Sequence, residues 1–301
     1  MMAARQPQPL RGKLLSNEPM ARHTTWRVGG PAEHYYQPAD VADLALFLSQ
    51  LAADEPLFWL GLGSNLLVRD GGIRGTVIAT SGMLNGMERI DEKHVRVESG
   101  VSCAKVARFC ARQGLSGAEF LCGIPGTMGG ALAMNAGCFG GETWNLVESV
   151  EMLDRTGNLH THTADEFEVG YRHVSGPAGE WFVAVTLRLQ QGDAEGLLVA
   201  NKKLLEKRGA SQPTQQPNAG SVFRNPEGDF AARLIESAGL KGRTIGGAQV
   251  SEKHANFIVN LGSATAADIE ALIAQVRDEV QQQHGVALQR EVHIVGEVSH
   301  G

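Results

Sequence analysis

The chain has 301 residues, so two or three compact units are expected rather than one. Apolar residues make up 43% and charged residues 20%, the balance of an ordinary globular protein, and the formal net charge of −6 argues against nucleic-acid binding. No apolar run is long enough for the core of a signal peptide or for a membrane span, and we therefore expect a cytoplasmic protein.

Four cysteines lie within one stretch of the chain, at Cys103, Cys110, Cys122 and Cys138. They lack the closely spaced pairs of a zinc site, and they are too few for a disulfide framework in a chain of this length. The sequence therefore predicts buried thiols and no metal site.

The N-terminal third has the pattern helix, strand, tight loop, strand. Asp40 is a candidate N-cap for a helix with apolar residues at helical spacing, and strand-like runs at 57–60 and 66–68 flank the sequence GLGSN at 61–65. Glycines let the backbone of such a loop approach a charged group and offer several N–H donors, which favours phosphate binding. A glycine-rich hairpin without a ligand is an equally good interpretation of this motif alone.

The middle third carries the longest glycine-rich segment, from Gly123 to Glu142. It follows an alternating strand at 94–98 and a helix that begins near Ser102 and that Gly114 should end. A loop of this length inside a compact unit is more typical of a ligand-enclosing loop than of a simple connection. The segment is not the dinucleotide fingerprint of a doubly wound domain, because it follows a helix and lacks the acidic residue of that motif.

Beyond residue 192 the pattern changes. A charged helix from Asp193 to about Arg208 is followed by an irregular segment with prolines and glutamines, so we expect a domain boundary near residue 195. Asp229 and Thr265 are candidate N-caps of two amphipathic helices, and Gly285 should end the second helix before a terminal strand. Because strands and helices are mixed and their connections are mostly short, the predicted fold class is α+β.

Arg172, Ser221 and Glu291 are candidates for chemistry outside the glycine loops. Ser221, in the sequence AGSVFRNP, either bonds its own backbone in a turn or donates a proton beside groups that hold an anion. It is not a nucleophile elbow, because the second glycine of that motif is missing. Glu291 lies among apolar residues of the terminal strand, and by pattern alone we expect a solvated or ion-paired carboxylate.

Eight motifs occur in order between about residues 24 and 296: TWRVGGPA, GLGSNLLV, GIPGTMGGALAMNAGCFG, YR, AGSVFRNP, AGLKG, GGAQVSEKHANFIVN and REVHIVG. Taken together they resemble the motif series of the UDP-N-acetylenolpyruvoylglucosamine reductases. The resemblance implies an FAD-binding fold of the vanillyl-alcohol-oxidase (PCMH) type, built from two subdomains, plus a C-terminal α+β domain that binds substrate. The short connection between Tyr171 and Phe182 is similar to that of the family's shorter subtype.

On this basis we expect three segments, the second of which has two subdomains. An N-terminal tail spans 1–20, the FAD-binding domain spans 21–192 with subdomains at about 21–85 and 86–192, and the C-terminal domain spans 196–301 and returns its last strand to the active site.

The resemblance also implies which residues bind FAD. The loop at 61–66 would hold the pyrophosphate, the segment at 123–131 would hold the isoalloxazine ring, and Arg27 would lie beside the cofactor. The implied cofactor-binding residues are Arg27, Gly61, Gly63, Ser64, Asn65, Leu66, Gly123, Ile124, Pro125, Gly126, Gly129, Gly130 and Ala131.

The implied activity is reduction of UDP-N-acetylglucosamine enolpyruvate to UDP-N-acetylmuramate, with NADPH as reductant, in peptidoglycan precursor synthesis. Arg172, Ser221 and Glu291 match the family's catalytic residues. Arg172 would stabilise charge on the substrate carboxylate, Glu291 would share a proton with it if burial raises its pKa, and Ser221 would protonate the neighbouring carbon. Three residues match substrate-binding positions: Tyr171, Asn225 and Arg224, the last standing where the family has a lysine.

Two other functions are compatible with the same scaffold. An FAD-dependent alcohol or sugar oxidase would need a base rather than a proton donor, and a nucleotide-binding module without activity would not need all three catalytic positions. We expect small-molecule partners, no nucleic-acid or membrane partner, and a monomer.

Overall fold

The computed structural model describes residues 9–299. The first unit contains β1 (Lys13–Pro19), β2 (Pro31–Gln37), α1 (Val41–Gln50), β3 (Leu57–Leu60), β4 (Leu66–Val68) and β5 (Ile73–Ala79). The second contains β6 (Met87–Arg89), β7 (His94–Glu98), α2 (Cys103–Arg112), β8 (Leu115–Ser116), α3 (Met128–Ala133), β9 (Gly137–Cys138), β10 (Gly141–Glu142), β11 (Val147–Asp154), β12 (Leu159–Thr163), β13 (Glu168–Gly170), β14 (His173–Ser175), β15 (Glu180–Arg188) and β16 (Gln190–Gln191).

The remaining elements are α4 (Ala194–Ser211), α5 (Ala231–Ser237), β17 (Thr244–Ile245), β18 (Ala248–Val250), β19 (Ile258–Asn260), α6 (Ala266–His284) and β20 (His293–Val295). Single-turn 3-10 helices lie at Met20–Arg22, Glu119–Gly123, Thr143–Leu146 and Ala164–Glu166. Among residues 9–299, no helix combines the length and the apolar composition needed to cross a bilayer.

The first unit is a four-stranded sheet in the order β1-β2-β5-β3, with α1 against it. Strand β5 pairs in parallel with both β2 and β3, whereas β1 pairs antiparallel with β2. Asp40 caps α1 as predicted, because its side chain accepts a hydrogen bond from Asp43 N. The predicted tail at 1–20 is wrong for residues 13–19, which form β1; most of its side chains are exposed, so no apolar pattern signals the strand. Residues 1–8 of that tail lie outside the described residues.

The second unit is an antiparallel sheet in the order β12-β11-β15-β7-β6, with α2 and α3 packed beside it. The predicted strand at 94–98 and the helix after Ser102 are present, and Gly114 follows α2 with a φ of 66°. The glycine-rich segment 123–142 differs from the expectation of a continuous loop, since it contains α3 and the β9–β10 pair. Helix α3 forms because Met128, Ala131 and Leu132 are buried in the core, and Gly129 lets the helix approach Ser99, where a Cβ would lie 2.9 Å from Ser99 Cβ.

The third unit packs α5 and α6 against the sheet β17-β18-β19. Thr265 caps α6 and Gly285 ends it with a φ of 69°, as predicted. Asp229 does not cap α5: the helix begins at Ala231 with Phe230 as its N-cap. Asp229 instead accepts a hydrogen bond from Phe230 N and pairs with Arg233.

Contacts between the units revise the expected boundary. Helix α4 packs against α2, where Asn201 Nδ2 donates to Ala107 O at 3.2 Å, so this helix belongs with the second unit. We therefore propose that the C-terminal domain begins after Ser211 rather than near residue 195. A second contact joins the first unit to the third. Trp26 of the first unit is buried in the third unit's core, and its Nε1 donates to Ile258 O at 2.7 Å.

We expect Trp26→Phe to lower the free energy of unfolding by about 1 to 3 kcal/mol, because it leaves the buried Ile258 carbonyl without its donor. The measurement is urea denaturation without added flavin, in which the midpoint should fall at an unchanged slope. Trp59→Phe is the matched control, since Trp59 Nε1 has no hydrogen-bond partner among the described residues. Equal losses in both variants would contradict the assigned role of the Trp26 hydrogen bond.

Candidate active site

A cavity of about 530 Å³ lies where the three units meet. Eleven of the thirteen residues predicted to bind the cofactor line it: Gly61, Gly63, Ser64, Asn65, Leu66, Gly123, Ile124, Pro125, Gly126, Gly130 and Ala131. Gly129 lines a neighbouring cavity of about 290 Å³, which shares Trp59, Leu60, Gly61, Gly130 and Ala133 with the larger one. Arg27 lines neither cavity; its side chain is exposed and its backbone has a φ of 59°.

The GLGSN loop connects β3 to β4 at the wall of the larger cavity. Gly63 has a φ of 66°, and a Cβ at this position would lie 2.2 Å from His23 O, so only glycine fits. Asn65 joins this loop to the C-terminal segment: its O accepts from His293 N at 3.0 Å, and its Nδ2 donates to Glu291 O at 3.3 Å. The loop therefore brings the C-terminal segment against the cavity.

The second glycine-rich segment forms the facing wall, and the two segments touch. A Cβ on Gly61 would lie 2.5 Å from Thr127 Oγ1, the side chain that precedes α3. Thr127 Oγ1 is buried and has no hydrogen-bond partner among the described residues, and the same is true of Trp59 Nε1 and Ser99 Oγ. Thr127 lines the larger cavity, Ser99 lines the smaller cavity, and Trp59 lines both. These orphaned donors and the glycine walls fit a ligand with several acceptor groups, as FAD has.

The smaller cavity extends the larger one between aromatic walls. The rings of Trp59 and Trp181 stack with centroids 5.2 Å apart, and Phe167 and Phe182 complete the lining. An apolar recess lined by aromatic rings suits a flat ring system, and the glycine loop at 61–65 suits phosphate.

Arg172 and Glu291 form an ion pair in the larger cavity, with Arg172 Nε 2.7 Å from Glu291 Oε1. Arg172 lies in the two-residue turn between β13 and β14 and has a φ of 54°, a strained conformation for a residue with a side chain. Burial raises the pKa of Glu291 above its ordinary value, and the nearby guanidinium of Arg172 opposes this rise only in part.

Ser221 lines the same cavity directly after Gly220, which has a φ of 76°. Glu291 N donates to Val222 O at 2.8 Å, so the Ser221 segment runs alongside the segment that carries Glu291. The structure thus brings together the three residues predicted to be catalytic, which come from three distant parts of the chain.

The three predicted substrate-binding residues do not line the cavity. Asn225 is exposed, and its Oδ1 accepts from Ala231 N at the start of α5. Tyr171 is 54% exposed, with the Arg172 guanidinium 5.5 Å from its ring. Arg224 has a buried Nε without a partner among the described residues. Its positive charge opposes the rise in the pKa of Glu291.

Arg208 and Gln212 line the larger cavity and were missed by sequence reasoning. Arg208 Nε donates to Gln212 Oε1 at 3.0 Å, and burial lowers the pKa of the guanidinium. No carboxylate forms a salt bridge with it among the described residues. Arg208 lies seven residues after the buried Asn201 and therefore on the same face of α4, but the burial of Asn201 is known only from the structure, so the sequence alone gave no signal.

Known proteins resemble the chain along nearly its whole length. The model of the FAD binding domain family matches residues 32–163, and that of the UDP-N-acetylenolpyruvoylglucosamine reductase C-terminal domain matches residues 212–295. The UDP-N-acetylenolpyruvoylglucosamine reductase of Alkalilimnicola ehrlichii is 62% identical over 297 residues, covering 99% of each chain. The chain belongs to the UDP-N-acetylenolpyruvoylglucosamine reductase family.

Two further comparisons agree with this membership. The reductase of the same name from Methylococcus capsulatus is 62% identical, covering 98% of this chain and 97% of its own. The crystal structure of the reductase from Thermus caldophilus is 34% identical, covers 94% of this chain and 98% of its own, and has a TM-score of 0.78. The predicted α+β fold, an FAD-binding domain of the PCMH type followed by a C-terminal domain, is confirmed.

We expect Gly130→Ala to preserve the fold and to weaken FAD binding at least about tenfold, equivalent to about 1.4 kcal/mol. A Cβ at Gly130 would lie 3.8 Å from its nearest neighbour, Thr127 Oγ1, so it meets no other side chain, yet it would enter the cavity. Because Gly130 lies in α3, alanine should stabilise the flavin-free protein slightly.

The matched control is Gly209→Ala, which adds the same group in open space on α4. FAD affinity is measured by flavin fluorescence and stability by thermal unfolding without flavin. Equal FAD affinity in both variants would show that the Gly130 wall does not face the cofactor.

Proposed function

We propose that the protein reduces UDP-N-acetylglucosamine enolpyruvate to UDP-N-acetylmuramate in peptidoglycan precursor synthesis, using NADPH and bound FAD, as a cytoplasmic monomer. One observation carries the proposal: the ion pair of Arg172 and Glu291 and the hydroxyl residue Ser221 line one cavity with both glycine-rich walls. The names of the relatives support the same substrate, since they are enolpyruvoylglucosamine reductases.

The glycine walls would hold the cofactor. Backbone groups at 61–66 would bind the pyrophosphate, and the segment at 123–131 would bind the isoalloxazine ring, with Thr127 Oγ1 as an additional donor. When bound there, FAD supplies a carrier that accepts hydride from NADPH and passes it to the enolpyruvyl carbon. Arg27 is not part of this proposal, because its side chain lies outside both cavities.

Arg172 and Glu291 would act on the carboxylate of the enolpyruvyl group. Addition of hydride to the terminal carbon of that group increases negative charge at the carboxylate end, and the Arg172 guanidinium would stabilise it by a charge-assisted hydrogen bond. Glu291 has a pKa raised by burial, so it is suited to hold a proton and share it with that carboxylate. The existing 2.7 Å contact between the two side chains would orient Arg172 before substrate enters.

Ser221 would donate its proton to the carbon next to the carboxylate and so complete the reduction. Its backbone is fixed between Gly220 and Val222, whose N donates to Asn256 O at 2.9 Å. A serine hydroxyl is a weak acid, so a neighbouring positive charge must stabilise the alkoxide; the cationic side chains of Arg172 and Arg208 line the same cavity.

Arg208 and Gln212 would bind the diphosphate of the substrate. Arg208 is half-buried, its Nε binds only Gln212, and its charge therefore favours an anionic ligand in the cavity. Arg224, with its partnerless buried Nε, would add positive charge near Glu291. We retain Asn225 and Tyr171 as substrate-binding residues only at the rim, because both side chains are exposed.

The test of this function is an anaerobic visible spectrum of the flavin-loaded protein. NADPH should bleach the flavin, and UDP-N-acetylglucosamine enolpyruvate should restore the oxidised spectrum without oxygen. A flavin that bleaches but is not reoxidised by this substrate would contradict the proposed reaction. Peroxide formation with a hydroxylated substrate would favour the alcohol or sugar oxidase instead.

We expect Ser221→Ala to leave flavin reduction by NADPH nearly unchanged and to slow reoxidation by substrate on the order of a hundredfold or more, because the proton donor is lost. Stopped-flow absorbance measures the two half-reactions separately. The matched control is Ser211→Ala, at an exposed serine at the end of α4. Normal reoxidation in Ser221→Ala would exclude Ser221 as the donor.

Glu291→Gln should also spare flavin reduction and slow reoxidation, because the amide cannot release a proton to the substrate carboxylate. The pH dependence of reoxidation gives a second readout. If Glu291 acts protonated, the unaltered chain should lose rate as pH rises through the raised pKa of this carboxyl, and Glu291→Gln should lack that dependence. A large loss in the first half-reaction would instead indicate a structural role.

A further inference from the structure

His162 on β12 contacts both ends of the segment that carries Arg172. Its Nδ1 lies 2.9 Å from Glu166 Oε2, and its Nε2 lies 2.8 Å from Glu180 Oε2. Glu166 ends the 3-10 helix before this segment, and Glu180 begins β15 after it. Residues 167–179 between the two carboxylates contain the β13–β14 hairpin, with Arg172 in its turn. One imidazole ring thus joins the two ends of the Arg172 segment.

We propose that His162, in its protonated form, is a positioning residue that clasps residues 167–179 and so holds Arg172 beside Glu291. The role of Arg172 in this statement rests on the proposed function. The clasp itself is a property of the fold and can be tested separately.

The geometry requires the imidazolium form. An ionised carboxylate only accepts hydrogen bonds, so both ring nitrogens of His162 must donate to satisfy both partners, and neutral imidazole has a single N–H. The His162 side chain is 14% exposed, which limits replacement of a lost contact by water. The ring also meets the Phe167 ring edge-on, with centroids 6.1 Å apart.

The clasped segment forms a wall of the smaller cavity as well. Phe167, Val174, Gly176 and Pro177 of the segment line it, together with the anchoring Glu180. Release of either end of the segment would therefore disturb both the aromatic recess and the turn that presents Arg172. His162 lines neither cavity, yet the segment that it holds contributes residues to both of them.

The charges around His162 favour its protonated form. Glu166 approaches from the 3-10 helix and Glu180 from β15, and these carboxylates raise the pKa of His162, Glu166 most strongly, while burial opposes them. On β12 itself, the ring of His160 lies 6.2 Å away and binds Asp154 at the end of β11, with its Nε2 3.0 Å from Asp154 Oδ2.

The sign of the pH effect follows from the raised pKa. The clasp is fully present below the ordinary histidine pKa of about 6.5, and it is lost as pH rises through the higher pKa of the folded protein.

The first test is amide hydrogen exchange of residues 167–179 in the flavin-loaded protein, at several values between about pH 6 and 9 and corrected for intrinsic exchange rates. In the unaltered chain, protection should fall as pH rises. In His162→Gln, which has no charge and carries its N–H donors on one nitrogen instead of two, exchange should be faster by at least about tenfold at the low end of the range and nearly independent of pH.

His160→Gln is the matched control, because His160 lies on the same strand and binds a carboxylate outside the segment. It should behave as the unaltered chain does. Glu166→Gln removes one negative charge of the clasp at a half-exposed position but keeps an acceptor oxygen, and should give an intermediate loss of protection. Unchanged exchange in His162→Gln, or an equal loss in His160→Gln, would overturn the proposal.

The second test is flavin reoxidation by UDP-N-acetylglucosamine enolpyruvate in the same variants. His162→Gln should slow it at low pH, and of the fall in rate at high pH only the part that comes from Glu291 should remain. Faster exchange with unchanged reoxidation would overturn the positioning role. If the unaltered chain does not turn over this substrate, the proposed function fails, and the exchange experiment still decides whether His162 clasps the segment.

Discussion

The parallel pairing of the terminal strand β20 with β4 is the constraint on which the site depends. Residues 293–295 pair with 66–68, directly after the GLGSN loop. This register places Glu291 at the loop, where Asn65 Nδ2 binds its backbone carbonyl. The contact joins residues 226 positions apart, so its entropic cost must be offset by burial along the whole interface. The active site is therefore assembled only when the two ends of the chain have met.

The ion pair of Arg172 and Glu291 joins the second unit to this assembled edge. Both side chains are mostly buried, so each loses hydration, and each would be costly to keep without the other. For Glu291, burial outweighs the attraction of Arg172, since the net effect raises its pKa. Arg172 stays charged and Glu291 can keep a proton, so the pair offers two different hydrogen-bond donors at one place in the cavity. The backbone of Arg172 has an unfavourable positive φ in the turn that places its side chain beside Glu291.

Helix ends could be predicted from the sequence, because interactions within a few residues determine them. The caps at Asp40 and Thr265 and the glycine that ends α6 follow from hydrogen bonding and backbone conformation within a few residues. The grouping of Arg172, Ser221 and Glu291 came from the ordered motifs, and the structure brings the three residues to one cavity. No local rule would have joined them, because three separate backbone segments carry them.

The features that were missed depend on tertiary context. Strand β1 exposes most of its side chains and exists through pairing with β2, so it has no apolar period of its own. Helix α3 forms within a glycine-rich sequence, although glycine disfavours helix, because its three buried side chains pack into the core. Arg208 lies on a helix with several other basic residues, and only the packing of α4 against α2 distinguishes it from solvated neighbours such as Lys207.

Polar groups without partners indicate how the cavity and the stability of the fold are related. Thr127, Ser99 and Trp59 each hold a buried donor without an acceptor among the described residues, and each such group costs about 1 to 3 kcal/mol. A domain is stable by only about 5 to 15 kcal/mol, so three unpaired donors along one pair of cavities are a substantial cost. A ligand that supplies acceptors removes this cost and binds only the folded state, which stabilises the protein by about 2.7 kcal/mol at a hundred times its dissociation constant. The glycine walls and the unpaired donors therefore fit a fold that is most stable when its cofactor is bound.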